Sequence, residues 1–497
     1  MTNANDDDEL ARAIALSLQE AESTLAAQNY EKEQLKLALA ASLGKTPDQL
    51  TAREVLSLEL EEPESEPISN KRPLSDVIPQ HEPKVAKSKT AGNTRYWDGV
   101  VKLTHVTGFT GTTYIKFEDI IDKYCLKKAF VTAFVGSMEF INEHFPDHVN
   151  MCIVLHGRPA QAGQISPTRL VIHPPMKDDR YGVFHTKLML LFHENSMRVV
   201  IGSGNLDRWD YKDLENVVFI QDFPQRSEPC SDLPPFANDI CDLLDRMQVP
   251  ASVKEELYKY DFAKAKAHIV ASVSGVFEGD EHKKFGHTRL AEVVRELGVA
   301  DPAHLPVVEM QTSSLGALTV LYMNELYRSF CGFNPYTDDK KLDLSKTEPP
   351  PVRIIYPSRD TVLDSRLGPS GADTICFNSS LWKKPTFPRK VMHDAISHRA
   401  GTLMHSKYII ATLHKRRTVG DPSLKGWVYC GSHNATMAAW GKLTLARDTK
   451  QPKMSISNWE LGVVLPIYED TNIPAPYRRP VPPYRPEQEP WMQDREW

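Results

Sequence analysis

Two stretches of this chain are copies of one pattern. Residues 181 to 220 read YGVFHTKLMLLFHENSMRVVIGSGNLDRWDYKDLENVVFI, and residues 401 to 465 contain MHSKYIIATLH, WVYCGSHNATMAAWG and SNWELGVVL. In each, His-x-Lys opens an apolar run, a second apolar run ends in Gly-Ser-x-Asn, and a carboxylate or amide leads into a third run. Short continuous apolar runs of this kind read as strands buried on both faces. The aligned residues are His185, Lys187 and Asn205 in one copy and His405, Lys407 and Asn434 in the other. The His-to-Asn separation is 20 residues in the first copy and 29 in the second, and a loop around Arg416 to Lys425 absorbs the difference. A strand unit written twice restricts the fold to two similar lobes.

The spacing carries a chemical implication. Residues two apart in an extended chain point to the same side, so His185 and Lys187 address one site, as do His405 and Lys407. One imidazole per copy, with lysines and asparagines around them, supplies what phosphodiester cleavage needs. It needs a nucleophile, an acid for the leaving group, and fixed positive charge on the non-bridging oxygens. A single His-x-Lys on a strand is usually an ordinary pair of partly exposed side chains. Two copies, each followed by Gly-Ser-x-Asn, are hard to obtain by accident.

The chain of 497 residues has room for about three domains by length. With 41% hydrophobic and 25% charged residues it reads as a globular protein, so pattern decides the class. It has no apolar run of transmembrane length, and the acidic start Asp6-Asp7-Asp8-Glu9 is unlike a signal peptide. The cysteines at 125, 152, 230, 241, 331, 376 and 430 contain no Cys-x-x-Cys pair, which predicts reduced thiols, no disulfide framework and no zinc module. Residues 1 to 92 hold 10 Lys/Arg against 17 Asp/Glu, a balance of −7 that leaves +1 of the −6 total for the remainder. A near-neutral remainder argues against a broad electrostatic grip on duplex DNA and for local phosphate contacts.

Residues 1–92 are poor in aromatics and rich in Glu, Ser, Ala and Pro, which predicts a largely disordered region carrying short helices. Two such helices, about 6–21 and 31–44, align without a gap. Leu10, Ala13, Ile14 and Ser17 match Leu35, Ala38, Leu39 and Ser42, each 25 residues on. These positions form one helical stripe, and its small central residues suit close approach by another protein's surface. The alternative is an amphipathic helix docked on the body of the protein. The globular part divides into 93–266 and 267–497, each alternating strands and helices, which predicts two pseudo-symmetric α/β/α lobes. Asn238 to Lys266 reads as helical, and the Pro-rich tail from Pro474 reads as extended chain packed over the surface.

The twin blocks resemble the phospholipase D superfamily. The superfamily's usual Asp, five residues after the Lys, is replaced here by Phe192 and Thr412. That double absence resembles the tyrosyl-DNA phosphodiesterase family, as do HTKLMLL, RVVIGSGNL, QTSSLGAL, IIYPS, HSKYII, GSHNATMAAWG and WELGVVLP across residues 93 to 497. The resemblance implies phospholipase D-like lobes and removal of tyrosine, as from a stalled topoisomerase I peptide, and of other adducts from single-stranded or nicked DNA 3′ ends. It casts His185 as nucleophile, His405 as general acid and base, and Lys187, Lys407, Asn205 and Asn434 as phosphate ligands, with no metal or other cofactor. Glu460 matches the family's orienting carboxylate. In the first copy Glu215 and Asn216 compete for that role, and equal spacing selects Asn216, leaving Glu215 as a solvated strand-end charge. Tyr181, Ser313, Ser314 and Ser358 match positions that contact DNA, while Ala317 replaces a family Ser.

The acidic-led helical stripes resemble ubiquitin-interacting motifs, which implies ubiquitin or ubiquitylated proteins as partners. The pair Lys71-Arg72 with Lys84, Lys87 and Lys89 resembles a bipartite nuclear import signal, which implies the nucleus, and the lack of an apolar run of transmembrane length or a membrane-binding amphipathic helix predicts no membrane partner. Two alternatives remain. A phospholipid or general phosphodiester hydrolase would turn over lipid, and an inactive ubiquitin-dependent scaffold would not cleave a 3′-tyrosyl oligonucleotide.

Overall fold

The computed structural model describes residues 94–178, 182–338, 342–413, 421, 423–471 and 474–495. The helical stripes, the basic cluster and Tyr181 lie outside the described residues.

In the first lobe nine strands form one mixed sheet. They are β1 (Val100–Thr104), β2 (Tyr114–Ile115), β3 (Leu126–Ala133), β4 (Asn150–Leu155), β5 (Gly163–Ser166), β6 (Arg169–Ile172), β7 (Leu188–His193), β8 (Ser196–Gly202) and β9 (Val217–Pro224). Their order is β2-β1-β9-β8-β7-β3-β4-β6-β5. The second lobe contains β10 (His268–Ser272), β11 (Gly275–Glu278), β12 (Pro306–Gln311), β13 (Val352–Tyr356), β14 (Met392–Asp394), β15 (Tyr408–Leu413), β16 (Leu424–Gly431), β17 (Lys442–Leu445), β18 (Pro452–Ile456) and β19 (Glu460–Tyr468). Seven of these order as β10-β19-β16-β15-β12-β13-β14, and β11-β18-β17 form a small separate sheet. The run β1-β9-β8-β7-β3-β4-β6 repeats as β10-β19-β16-β15-β12-β13-β14, with the same parallel and antiparallel neighbours. The duplication read from the sequence is therefore a duplication of seven consecutive strands of the sheet, with β2 and β5 added at the edges of the first.

The sheets are apolar on both faces, which is why their strands lack polar alternation. Leu188 and Leu190 of β7 and Val199 and Ile201 of β8 enter a central core with Tyr408, Ile410, Val428 and Cys430 of the other lobe. Their neighbours Met189, Leu191 and Val200 face an outer core under helices Phe117–Ile121 and Met138–His144. In lobe two, Ile409, Ala411, Trp427 and Tyr429 face an outer core that includes Leu290, Val293, Met323 and Tyr327 of helices Gly286–Glu296 and Val320–Phe330. The two sheets thus share the middle layer, and helices cover the outer faces.

Two expectations need local correction. The stretch Asn238 to Lys266 is two helices, Pro235–Arg246 and Ala251–Leu257, separated where Gln248 takes φ 59° ahead of Pro250. The tail is extended but not merely superficial. It pairs by isolated bridges with His393 and Ser397, covering the open side of β14, and buries Tyr477, Val481, Trp491 and Met492 in the cores.

Candidate active site

His185 and Lys187 lie in the extended lead-in to β7, and His405 and Lys407 in the lead-in to β15. The expected strand geometry holds just outside the strands. Each lysine turns back so that its Nζ donates to the carbonyl of its own histidine, Lys187 to His185 at 3.0 Å and Lys407 to His405. Gly-Ser-x-Asn follows the ends of β8 and β16, so both asparagines sit at the same end of their sheets as the histidines. The glycine of the motif is required by close passage of the third strand. A Cβ on Gly431 would lie 2.4 Å from Gly462 Cα.

The lobes meet at this end through matched main-chain contacts. His185 N donates to Trp459 O at 2.9 Å, and His405 N donates to Glu215 O at 3.0 Å. Each histidine is therefore seated against the other lobe's third strand, one residue before Glu460 in one case and before Asn216 in the other. Nδ1 of His185 lies 2.7 Å from Oε2 of Glu460, which also accepts from Ser432 Oγ at 2.6 Å and, on Oε1, from Asn458 Nδ2 at 3.1 Å.

The counterpart at His405 corrects the sequence reading. Its Nδ1 lies 2.6 Å from Oδ1 of Asp210, on the short helix Arg208–Lys212, and not against Asn216. Asn216 occupies the position equivalent to Glu460 and accepts from Ser203 Oγ at 2.7 Å, as Glu460 does from Ser432. Its side chain is one methylene shorter than glutamate and carries no charge, so it does not serve the ring directly. Its Nδ2 instead donates to Asp210 Oδ1 at 2.8 Å, holding the carboxylate that does. Each histidine is thus oriented by a carboxylate from the opposite lobe.

Glu215 is not a solvated strand-end charge. It is fully buried, 2.9 Å from Arg399 Nη2, and takes a hydrogen bond from Ser397 Oγ. Arg399 also donates through Nη1 to Thr104 O at 2.6 Å and stacks 4.4 Å from the Tyr114 ring, so the pair ties the lobes together beside His405.

Both asparagines commit their carbonyl oxygens to the scaffold. Asn434 Oδ1 accepts from Ser313 N, Ser313 Oγ and Ser314 N at 3.3, 3.2 and 3.0 Å, and Asn205 Oδ1 accepts from Val135 N at 3.4 Å. The amide NH2 of each is left for the site. Ser313 and Ser314, expected to touch DNA, hold Asn434 in place. Ser358 departs from its expectation. It is fully buried, caps the helix Arg359–Leu363 and donates to Asp394 Oδ2 at 2.8 Å, so its hydroxyl is already committed.

Convergence is visible in the electrostatics. Burial pushes the His185 imidazole well below its usual range, and Lys187, Lys407 and His405 push it further. Burial and Lys407 lower His405 to about 4, against the pull of Asp210 in the other direction. Burial lowers Lys187 to about 8, and burial with repulsion from Lys187 lowers Lys407. Burial alone would raise Asp210, but His405, the main-chain N–H of Asn205 and Lys407 outweigh it and hold the carboxyl below the ordinary range. Beyond burial, Lys187 and Lys407 disfavour charge on each other and on both imidazoles, and a phosphate anion would offset that repulsion.

Asp210, Ser203, Ser432 and the Glu215–Arg399 pair were missed by sequence reasoning. Both serines stood inside the motif, where their repetition was the available signal. Asp210 had none, because its counterpart five residues after Asn434 is Ala439.

Two lobes that each bring a histidine, a lysine and an asparagine to one buried site define a phosphodiesterase of the phospholipase D type. A profile of the tyrosyl-DNA phosphodiesterase family matches residues 100–490, and the chain belongs to that family. It is 23% identical over 461 residues to tyrosyl-DNA phosphodiesterase 1 of Arabidopsis thaliana, covering 78% of this chain and 72% of that one. It is 24% identical over 334 residues to a probable tyrosyl-DNA phosphodiesterase of Caenorhabditis elegans, covering 63% and 69%. The crystal structure of yeast tyrosyl-DNA phosphodiesterase superposes with a TM-score of 0.60 at 18% identity, covering 79% of this chain and all of that one, 100%. The ubiquitin interaction motif profile matches residues 5–21 and 31–44. No helix among the described residues is long and apolar enough to cross a membrane.

Proposed function

We propose that this site hydrolyses the phosphodiester linking a DNA 3′ end to a tyrosine, as in a stalled topoisomerase I adduct, and other 3′ adducts as well. The observation that carries the reading is the crossed pairing of His185 with Glu460 and His405 with Asp210. Each pairing fixes Nδ1 and leaves Nε2 of both rings to act on one phosphorus from opposite sides.

His185 Nε2 attacks phosphorus, and the bond to the tyrosyl oxygen breaks as His405 gives that oxygen its Nε2 proton. His405 then takes a proton from water, whose oxygen attacks phosphorus and breaks the bond to His185, releasing a 3′-phosphate. Burial and the lysines disfavour a proton on both rings, but at His405 the pull of the Asp210 carboxylate works against them, and the negative charge of a bound phosphodiester would add to that pull. Lys187, Lys407 and the NH2 groups of Asn205 and Asn434 would take the non-bridging oxygens as charge builds on them.

The two N-terminal motifs bind ubiquitin, bringing the enzyme to ubiquitylated proteins. Each helix alone would bind weakly, and two in tandem gain by avidity. The basic cluster from Lys71 to Lys89 directs the chain to the nucleus. The test of the activity is cleavage of a 3′-phosphotyrosyl oligonucleotide with EDTA present. The expected result is turnover, with His405→Asn accumulating a DNA-linked enzyme and His185→Ala inert. Lipid turnover without oligonucleotide cleavage would overturn the reading.

A further inference from the structure

The small sheet β11-β18-β17 has no counterpart in the first lobe among the described residues, so two-fold chemistry does not require it. One face is apolar, with Phe277, Leu443, Met454 and Ile456 buried. The pairing register puts different residues on the other face. Lys442 and the exposed Val276 lie on either side of Ser455, and Thr444 and Glu278 lie on either side of Lys453. A further lysine reaches the same place from the lead-in to the nucleophile. Lys177 Nζ donates to Ser455 Oγ at 2.6 Å, and its main-chain N donates to Ser274 Oγ at 2.9 Å. Arg447 and Lys450 stand exposed where β17 turns into β18. Three carboxylates accompany these five cations: Glu278, 3.9 Å from Lys453, Asp178, which offsets part of the charge on Lys177, and Asp448, exposed in the turn with Arg447 and Lys450.

This basic, hydroxyl-bearing face is continuous with the active site along the chain. Four residues after β18 comes Glu460, and the intervening segment lies against the one that carries Lys177. Val183 N donates to Asn458 Oδ1 at 3.2 Å, and Trp459 N donates to Val183 O at 2.9 Å. In a catalytic part with a net charge near zero, this face holds five basic residues against three acidic ones, beside the strand that orients the nucleophile.

We propose that this face is a track for the sugar–phosphate backbone of the DNA strand whose 3′ phosphorus enters the site. Ammonium groups paired with serine and threonine hydroxyls are the usual partners of phosphate oxygens. The occupant is the scissile strand because it is the polyanion already tethered to the catalytic phosphorus. The inference rests on the DNA phosphodiesterase reading.

The experiment compares two 3′-phosphotyrosyl substrates, a single nucleotide and a single-stranded oligonucleotide long enough to cross the sheet, in the full-length protein. Lys442→Gln with Lys453→Gln should raise KM for the long substrate and leave kcat unchanged. The dependence of log(kcat/KM) on log[salt] should flatten by about 1.4, at roughly 0.7 for each single-strand phosphate that a lysine no longer neutralises. The single-nucleotide substrate should be unaffected, and Glu278→Gln should lower KM for the long one. An unchanged salt slope, or an equal loss on both substrates, would overturn the track. Failure of the unaltered protein to cleave the single-nucleotide substrate would instead overturn the activity itself.

Discussion

Replacing Asp210 by Asn isolates the carboxylate that the sequence pattern did not reveal. The substitution keeps size and shape, so the hydrogen bond from Asn205 N, 2.6 Å from Oδ2, can persist while the charge facing His405 is removed. An imidazolium and a carboxylate about 4 Å apart attract by about 4 kcal/mol at an effective dielectric of 20. A hydrogen bond to a charged group is worth about 1.5–3 kcal/mol. Forfeiting about 3 kcal/mol slows a step by roughly 10²-fold. An amide that instead offers its NH2 to Nδ1 also imposes the wrong tautomer, a change that costs about 10⁴-fold in serine proteases. The expected loss on a 3′-phosphotyrosyl substrate is therefore about 10² to 10⁴ in kcat. The assay that separates this from general damage uses a second substrate, whose activated phenol departs as its anion. Its first step needs no proton from His405, so it should proceed at near the unaltered rate. The second step, which needs His405 as a base, should stay slow, so phosphohistidine enzyme should accumulate on denaturing gels. Equal losses on both substrates with no covalent species would refute the assignment. So would a harmless Asp210→Asn beside a crippling Asn216→Ala.

Glu460→Gln removes the charge on the nucleophile's side, and its loss of about 10² or more in kcat/KM should be the same for both leaving groups, with no covalent enzyme. Equal accumulation in the two variants would show that the histidine roles are reversed. Removing one partner of the buried Glu215–Arg399 pair, as in Arg399→Met, should cost about 3–5 kcal/mol by urea denaturation. The double variant with Glu215→Gln should recover part of that loss, and a single variant as stable as the unaltered protein would refute the pairing. Because its pKa is depressed, His185 stays neutral as pH falls through 6.5, so the acid limb of kcat/KM should lie below that value. Lys187, lowered to about 8, loses its charge as pH rises through that point, which gives an alkaline limb separate from the fall that begins lower as His405 loses its proton. Lys187→Arg should remove that limb, and a limb that stays put assigns it elsewhere. Ala13→Arg with Ala38→Arg should abolish binding of residues 1–60 to ubiquitin in a titration, and an unchanged isotherm would refute the stripe.

What could be read in advance, and what could not, follows from how a duplicated site distributes its parts. His185, Lys187, Asn205 and their counterparts were legible because each lobe needs its own copy and comparing the copies selects for sameness. The double sheet was legible for the same reason, since the strands that carry the motif sit centrally in each sheet and the chain repeats their order. Groups that break the symmetry are invisible to that comparison. Asp210 faces Ala439 across the pseudo-two-fold, and Glu215 faces Trp459, which donates from Nε1 to Pro175 O at 3.0 Å where Glu215 meets Arg399. Ser358 shows the opposite error, because a motif match located the residue but could not reveal that Asp394 had already taken its hydroxyl. The asymmetry is itself chemically required. Two identical histidines on one phosphorus would have the same proton affinity, and then neither would be reserved as nucleophile nor as acid. A glutamate reaching one ring, and an aspartate held by an amide reaching the other, make the two halves unequal where the reaction needs them to be.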